Sequence, residues 1–238
     1  MLNVAQRTWA PARSQWRMSM QRLLPVLTLL SALIAIIALG GLGLPVALGF
    51  AAKPLTTVLI IVYAWRRGTA SASMRRLILA GLALSLAGDV FLLWPQQGFL
   101  PGLVSFLLAH LCYIAAFSLP LRFARRWLPF AVYAVLAGLV LGALWPGIPA
   151  ALRPPVIVYV LCLAAMAAQA ATWWRSAPGH AQARWAALGG LLFLCSDSLL
   201  AIDKFAVPLP AASLWILATY WMAQSLIASS LAPAAAPR

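Results

Sequence analysis

Two aspartates lie inside long apolar segments of this 238-residue chain. Asp89 is in "LSLAGDVFLLWP" (residues 84–95) and Asp197 is in "LLFLCSDSLLAIDKF" (residues 191–205). Asp203 is the third acidic residue, and the sequence has no glutamate. A carboxyl group in an apolar segment is costly to ionise, so its retention favours a functional role. Two neighbouring carboxyl groups can divide the roles of proton donor and base.

Other polar side chains lie at similar depths in neighbouring apolar segments. Tyr113 follows His110 by three residues and Gln224 follows Tyr220 by four, so each pair shares a helix face. A rise of 1.5 Å per residue places Asp89 and Asp197 roughly 8–9 Å from one membrane boundary and His110 about 15 Å deep. Together with Lys53, these residues predict one polar chamber in that half of the membrane.

These residues also have less specific interpretations than a shared polar chamber. Tyr220 and Gln224 alone are typical of polar contacts between helices, and Lys53 lies near enough to the boundary to reach water. Asp203 and Lys204 read as an exposed pair at the end of a helix, at the mouth of a chamber.

Metal and serine chemistry are weaker alternatives. Zinc held by His110, Asp89 and Asp197 lacks any recognisable ligand spacing, so no metal is predicted. A hydrolase that pairs Ser196 or Ser198 with His110 lacks a G-x-S-x-G motif. The three cysteines, an odd number, form no C-x-x-C pair, which predicts neither disulfides nor a cysteine-based metal site.

The composition is that of a polytopic membrane protein. Hydrophobic residues make up 64% of the chain, charged residues 8%, and the mean hydropathy is +0.95. The prediction is an all-α membrane helix bundle with eight transmembrane helices, each of about 20 residues. The predicted helices are residues 23–43, 47–65, 75–94, 100–121, 127–146, 154–174, 184–202 and 212–231.

The net charge of +14 arises from arginines at helix ends and does not indicate nucleic-acid binding. With a cytoplasmic N-terminus, every basic residue except Lys53, Arg153 and Lys204 falls on the cytoplasmic side. This distribution follows the positive-inside rule and predicts an N-in/C-in orientation. Residues 1–22 are then a basic cytoplasmic segment, 23–231 a single eight-helix domain and 232–238 a short tail. The first apolar stretch is too long for a signal peptide, so a retained helix is expected.

Several of these segments resemble the YhhN-like family of eight-helix membrane proteins. The matching segments, in order, are "AKPL" at Lys53, "LAGDVFLL" at Asp89, "FLLAHLCYIAAF" at His110, "VYVLCLAAMAAQA" with Tyr159, "GGLLFLCSDSLLAIDKF" at Asp197 and "ATYWMAQSLIA" at Tyr220. The resemblance covers about residues 48–230. It implies an integral-membrane lysoplasmalogenase, which hydrolyses the vinyl ether bond of lysoplasmalogens to a fatty aldehyde and a glycerophospho-base.

The implied reaction requires an acid to protonate the vinyl ether and a carboxylate to stabilise the cation and activate water, as in glycoside hydrolysis. On this hypothesis Asp89 and Asp197 are the catalytic pair, in an order left open, and His110 orients a carboxyl group or assists the water. The substrate-binding residues would be Tyr113, Tyr220 and Gln224, for water or the glycerol hydroxyl, and Lys53, for the phosphate. The implied partners are a lysophospholipid and the bilayer, without cofactor or obligate protein partner.

Two other functions remain open on the sequence alone. The protein would be a hydrolase of ester or ether lysolipids if the bond differs, since the motifs do not identify the bond. It would be a proton-coupled transporter or lipid-binding protein if the carboxyl groups only carry protons.

Overall fold

A computed structural model describes residues 9–68 and 71–232, with side chains from residue 23 onward. Within these ranges the chain is all-α, as predicted. Two 3₁₀ turns, Trp145–Gly147 and Ala150–Leu152, join α5 to α6. The helices are α1 (Trp9–Leu39), α2 (Val46–Arg66), α3 (Ala72–Phe91), α4 (Pro95–Ser118), α5 (Trp127–Leu144), α6 (Arg153–Ser176), α7 (Ala181–Phe205) and α8 (Ala212–Ser229).

The first helix differs most from the prediction. It begins at Trp9 instead of residue 23 and continues through Pro25. A proline removes one helical hydrogen bond, but the Met, Gln, Arg and Leu residues before it favour helix and carry it back into the basic segment. Residues 1–8 of that segment and residues 233–238 of the predicted tail lie outside the described residues.

Prolines set the starts of three other helices. Pro45 immediately precedes α2, Pro95 is the first residue of α4, and α6 has prolines in its first turn. Proline suits these positions because the first helical N–H groups have no partner within the helix. As a result α4 begins five residues before its predicted start, and residues 92–94 alone link it to α3.

Five helices of the described chain are long and apolar enough to cross a membrane: α2, α4, α5 with the turn after it, α6 and α7. Among the others, α3 carries Arg75, Arg76 and Asp89 within its 20 residues. Exposed leucine, isoleucine and valine side chains cover the outer surfaces of the bundle. A bundle that is apolar outside and polar at a buried site is typical of proteins in lipid. The count of eight spans and the orientation stay predictions.

Glycines on α3 and α7 allow close helix packing. A methyl group on Gly81 would lie 2.3 Å from the Tyr113 ring, and one on Gly88 would lie 2.5 Å from the Phe106 ring. Both contacts join α3 to α4. Gly189 and Gly190 give α7 the same closeness to α8 and α6. Small residues at helix interfaces let backbones approach within lipid, so these positions fix the helices that carry the polar residues.

Consecutive helices are antiparallel, and the bundle has two different ends. A cavity at one end is lined by the C-terminal parts of α1, α3, α5 and α7 and the N-terminal parts of α2, α4, α6 and α8. At the other end, here the arginine end, Arg67 donates hydrogen bonds to the carbonyl oxygens of Ser229 and Leu231. These bonds satisfy the carbonyl of the last residue of α8 and that of Leu231 just beyond it, and they attach this end of α8 to the end of α2.

Candidate active site

The cavity at the first end has a volume of about 530 Å³. Asp89 and Asp197 both line it, as do Lys53, Tyr159 and Tyr220. These side chains come from five different helices. The two aspartates singled out in the sequence therefore face a common space.

Asp89 is buried in a hydrogen-bonded cluster that joins three helices. Its Oδ2 accepts a bond from the Thr57 hydroxyl of α2 at 2.6 Å and one from the Tyr220 hydroxyl of α8 at 2.8 Å. The Trp221 indole N–H in turn donates to Thr57 Oγ1 at 3.2 Å. Hydrogen bonds from neutral donors to a carboxylate stabilise the anion and fix its orientation.

Lys53 supplies positive charge to the same part of the cavity. Its side chain is 7% exposed, and the ammonium group interacts electrostatically with Asp89. Within the described part of the chain, this group makes no hydrogen bond or close ion pair. A buried ammonium group without a partner is unfavourable alone, so its position facing a cavity suits an anionic ligand.

A second group of residues supports Tyr220 from behind. Gln224 donates from Nε2 to the Tyr220 hydroxyl at 3.3 Å, and the Tyr113 hydroxyl donates to Gln224 Oε1 at 2.8 Å. Tyr113 and Gln224 are fully buried. The sequence-predicted pairing of Tyr220 with Gln224 on one face is confirmed. Tyr113, in contrast, contacts this group and not the neighbourhood of His110.

Asp197 belongs to a separate cluster on α4, α6 and α7. The Tyr159 hydroxyl donates to Asp197 Oδ2 and lies 3.1 Å from His110 Nε2. His110 Nε2 and Asp197 Oδ2 are 4.0 Å apart, too far for a direct hydrogen bond. The Asp197 side chain is 15% exposed, whereas His110 is fully buried. Among the described residues, no lysine or arginine interacts electrostatically with Asp197 as Lys53 does with Asp89.

Aromatic rings lie between the two carboxyl clusters. Phe193 packs edge-on against His110, with ring centres 4.6 Å apart, and against Tyr220 at 5.6 Å. Phe106 contacts Tyr220 at 5.8 Å. These contacts fix the positions of His110 and Tyr220 relative to each other, and the packed rings leave no room for water between them.

One part of the cavity lining is apolar. It is lined by side chains of α5 and α6, namely Ala137, Val140, Leu141, Leu144, Val156, Val160 and Leu163. The lining therefore combines charged side chains, which besides Lys53 and the two aspartates include Asp203 and Lys204, with apolar side chains of α5 and α6. An amphipathic molecule matches this combination.

Of the seven candidate residues from the sequence, Lys53, Asp89, Asp197 and Tyr220 line the cavity. The other three, His110, Tyr113 and Gln224, lie behind that lining and reach it through Tyr159 or Tyr220. Sequence reasoning gave no role to Tyr159 or Thr57. Thr57 follows Lys53 by four residues, a spacing that places both on one helix face.

The arrangement offers little to the two alternative chemistries. Ser196 and Ser198 both donate to backbone carbonyl oxygens, of Ile216 and Leu194. His110 Nε2 lies within hydrogen-bonding distance of the Tyr159 hydroxyl group, not of a serine. Among the described residues, no three histidine, cysteine or acidic side chains converge as metal ligands.

Comparison with known proteins identifies relatives. The model of the YhhN family matches residues 48–231. The chain is 38% identical over 169 residues to human lysoplasmalogenase TMEM86B, covering 71% of this chain and 69% of that protein. It is 36% identical to bovine lysoplasmalogenase TMEM86A over 64% of each chain. A lysoplasmalogenase of Mycobacterium tuberculosis is 36% identical over 64% of this chain and 59% of its own length.

The matches to the bovine and mycobacterial proteins thus span less than two thirds of those relatives. No solved structure matches the chain. The apolar helices and these relatives together identify a multi-pass membrane protein.

Proposed function

The chain belongs to the YhhN family, and from this premise we propose that it is a membrane hydrolase that cleaves the vinyl ether bond of lysoplasmalogens. The observation that carries the proposal is the pair Asp89 and Asp197 facing one cavity from different hydrogen-bonded clusters. The name of the relatives, lysoplasmalogenase, indicates the vinyl ether as the bond on which such a pair would act.

The two carboxyl groups have different surroundings, which suggests different roles. Asp89 accepts two hydroxyl hydrogen bonds and lies near the Lys53 ammonium group, an environment suited to a carboxylate. Asp197 has one hydroxyl donor, and no described lysine or arginine interacts with it electrostatically. We therefore assign Asp89 as the carboxylate and Asp197 as the proton donor, an order that the sequence left open.

The first half of the reaction follows from this assignment. The Asp197 carboxylic acid gives its proton to the β-carbon of the vinyl ether, and the C=C electron pair forms the new C–H bond. The resulting oxocarbenium ion is stabilised by the Asp89 carboxylate. Asp89 then accepts a proton from water as the water oxygen bonds to the cationic carbon, which yields a hemiacetal.

Breakdown of the hemiacetal restores both groups. The Asp197 carboxylate accepts the hydroxyl proton while the bond to the glycerol oxygen breaks. Asp89 returns its proton to the departing oxygen. The products are a fatty aldehyde and a glycerophospho-base, and the cycle consumes one water with no net proton.

The charged and apolar side chains of the cavity lining suit the two ends of a lysophospholipid. The Lys53 ammonium group would bind the phosphate, because no described residue hydrogen-bonds to it. The apolar side chains of α5 and α6 would accommodate the alkenyl chain. Tyr220 would contact the glycerol hydroxyl or the water, supported by Gln224 and Tyr113.

We further propose the eight-span, N-in/C-in topology within one domain of residues 23–231. Arg67, Arg75, Arg126 and Arg184 are among the basic residues at the arginine end. The positive-inside rule then places that end in the cytoplasm. The cavity would open toward the opposite side of the membrane, where Lys204 lies over the Phe99 ring at 4.2 Å.

A panel of lysolipids tests the proposed reaction. Purified protein in detergent is given 1-alkenyl, 1-acyl and 1-alkyl lysolipids of one chain length and headgroup. We expect aldehyde from the alkenyl lipid alone, and in D₂O one deuterium at C2 of the aldehyde, since the protonated carbon keeps its new hydrogen. Fatty acid from the acyl lipid would indicate an esterase. Transport of an intact lysolipid into sealed vesicles, without product, would indicate a carrier.

A further inference from the structure

We infer that the Tyr159 hydroxyl group links His110 to Asp197 and can donate its one proton to either of them. His110 then influences the hydrogen bonding of Asp197 through Tyr159. This inference rests on the proposed function and assigns Tyr159 and His110 as positioning residues for the proton donor.

The geometry leaves one route between the ring and the carboxyl group. Tyr159 donates to Asp197 Oδ2, and its oxygen is 3.1 Å from His110 Nε2. The direct separation of Nε2 and Oδ2 is 4.0 Å, beyond hydrogen-bonding distance. Tyr159 also lines the cavity, whereas His110 does not. The imidazole can therefore be hydrogen-bonded to Asp197 only through the Tyr159 hydroxyl group.

The hydroxyl group has one proton and two possible acceptors. When Asp197 is the neutral acid, its O–H donates to the Tyr159 oxygen, and the Tyr159 proton points to His110 Nε2. When Asp197 has given up its proton, the Tyr159 hydroxyl turns and donates to the new carboxylate. A rotation about one C–O bond thus follows the protonation of Asp197, with no bond formed or broken in Tyr159.

His110 is free to serve as that acceptor. Its tautomer would ordinarily be set by a partner at the other ring nitrogen. Here Nδ1 is buried and has no hydrogen-bond partner in the described part of the chain. Hydrogen bonding at Nδ1 therefore does not oppose the tautomer that leaves Nε2 as an acceptor. Edge-on packing against Phe193 holds the ring in place.

The two acceptors act at different stages. His110 keeps the Tyr159 proton away from Asp197 before the reaction, which maintains the neutral acid. Tyr159 then stabilises the carboxylate that forms as the proton leaves. Without His110, the hydroxyl would donate to Asp197 from the start and favour the anion, which cannot protonate the substrate.

A double-mutant cycle tests this coupling. We expect Tyr159→Phe to lower kcat about 10- to 100-fold with little change in KM, the cost of one hydrogen bond to a charged group. His110→Leu should lower kcat less, and His110→Gln, which keeps an acceptor near Nε2, should restore most of it. In the Tyr159→Phe background, His110→Leu should have no further effect. Multiplicative losses in the double variant would overturn the inference.

An infrared measurement tests it without turnover. The neutral Asp197 acid gives a carboxyl C=O band that is identified by its loss in Asp197→Asn. We expect this band to weaken when His110→Leu is introduced into the wild-type protein. When His110→Leu is introduced into the Tyr159→Phe variant, the band should not change. No such band in the wild type, or an unchanged band in His110→Leu, overturns the inference. Protein that keeps these band changes but releases no aldehyde contradicts the proposed function alone. Size-exclusion profiles and melting temperatures check that each variant is folded.

Discussion

The Tyr220 hydroxyl of α8 donates a 2.8 Å hydrogen bond to Asp89 of α3, at the surface of the cavity. Tyr220 thereby joins the last helix to the carboxyl group that we assign as the base. Gln224, one turn later, donates to the same hydroxyl group and holds it in this orientation. The orientation of the Asp89 carboxyl group is thus set by hydrogen bonds from α2 and from α8.

Removal of this hydroxyl group should impair catalysis more than folding. We expect Tyr220→Phe to lower kcat about tenfold or more, because the Asp89 carboxylate loses one of its two hydroxyl donors. The assay is aldehyde release by purified protein. Tyr133→Phe is a matched control, since Tyr133 is buried on α5 and does not line the cavity. An equal loss in both variants would argue against a specific role for Tyr220.

Lys53 should determine the preference for a phosphate-bearing substrate. Loss of a charge-assisted contact of about 1.5–3 kcal/mol corresponds to roughly a 10- to 100-fold change in kcat/KM. We therefore expect Lys53→Met to lower kcat/KM by this factor for lysoplasmalogen and to leave 1-alkenylglycerol, which has no phosphate, little affected.

Both substrates are measured with the same preparation, so misfolding would lower both rates. Lys204→Met is the comparison variant, because Lys204 is the other lysine of the chain and also lines the cavity, but is exposed. A phosphate preference that survives in Lys53→Met would contradict the assigned role.

Gly81 should be required for the packing of α3 on α4. A methyl group there would lie 2.3 Å from the Tyr113 ring, whose hydroxyl supports Gln224. We expect Gly81→Ala to cost about 1–3 kcal/mol of stability through overpacking, seen as a lower melting temperature in detergent. Gly138→Ala on α5 is the control, since its methyl group would meet no atom within 4 Å. An unchanged melting temperature in Gly81→Ala would mean that α3 and α4 pack less closely.

The proposed orientation has a separate test. We expect green fluorescent protein fused after Arg238 to fluoresce in a bacterial host and alkaline phosphatase at the same position to be inactive, because the C-terminus would be cytoplasmic. A cysteine introduced at Gln97, at the cavity end, should react with a membrane-impermeant maleimide in intact cells after the three native cysteines are replaced. Labelling only after lysis would contradict the orientation.

The sequence allowed prediction of the helical class and of most helix positions. Long apolar segments bounded by arginine and proline define helices because hydropathy and helix termini are local properties. The exception was α1, where no local signal separates the basic segment from the apolar helix that follows. Helix prediction also placed Tyr220 and Gln224 on one face correctly.

The pairing of residues across helices was not predictable. The spacing of His110 and Tyr113 places both on one side of α4, yet they contact different partners, Tyr159 and Gln224. The packing of α3 on α4 depends on the space that Gly81 and Gly88 leave for aromatic rings of α4. That packing is a property of the assembled bundle. Tyr159 belongs to a segment that resembles the family, but the sequence assigned it no role for the same reason, since only the assembled bundle places it beside Asp197.

The most direct test of the account compares the three aspartates of the chain. Asp89→Asn, Asp197→Asn and Asp203→Asn are purified in detergent, checked for folding by melting temperature, and assayed for aldehyde release from lysoplasmalogen. Asp203 accepts a hydrogen bond from the Leu209 N–H, which asparagine can also accept, so this variant is the matched control. We expect losses of about 10²–10⁴-fold for Asp89→Asn and Asp197→Asn and near wild-type activity for Asp203→Asn. Full activity in a folded Asp89→Asn or Asp197→Asn variant would contradict the account.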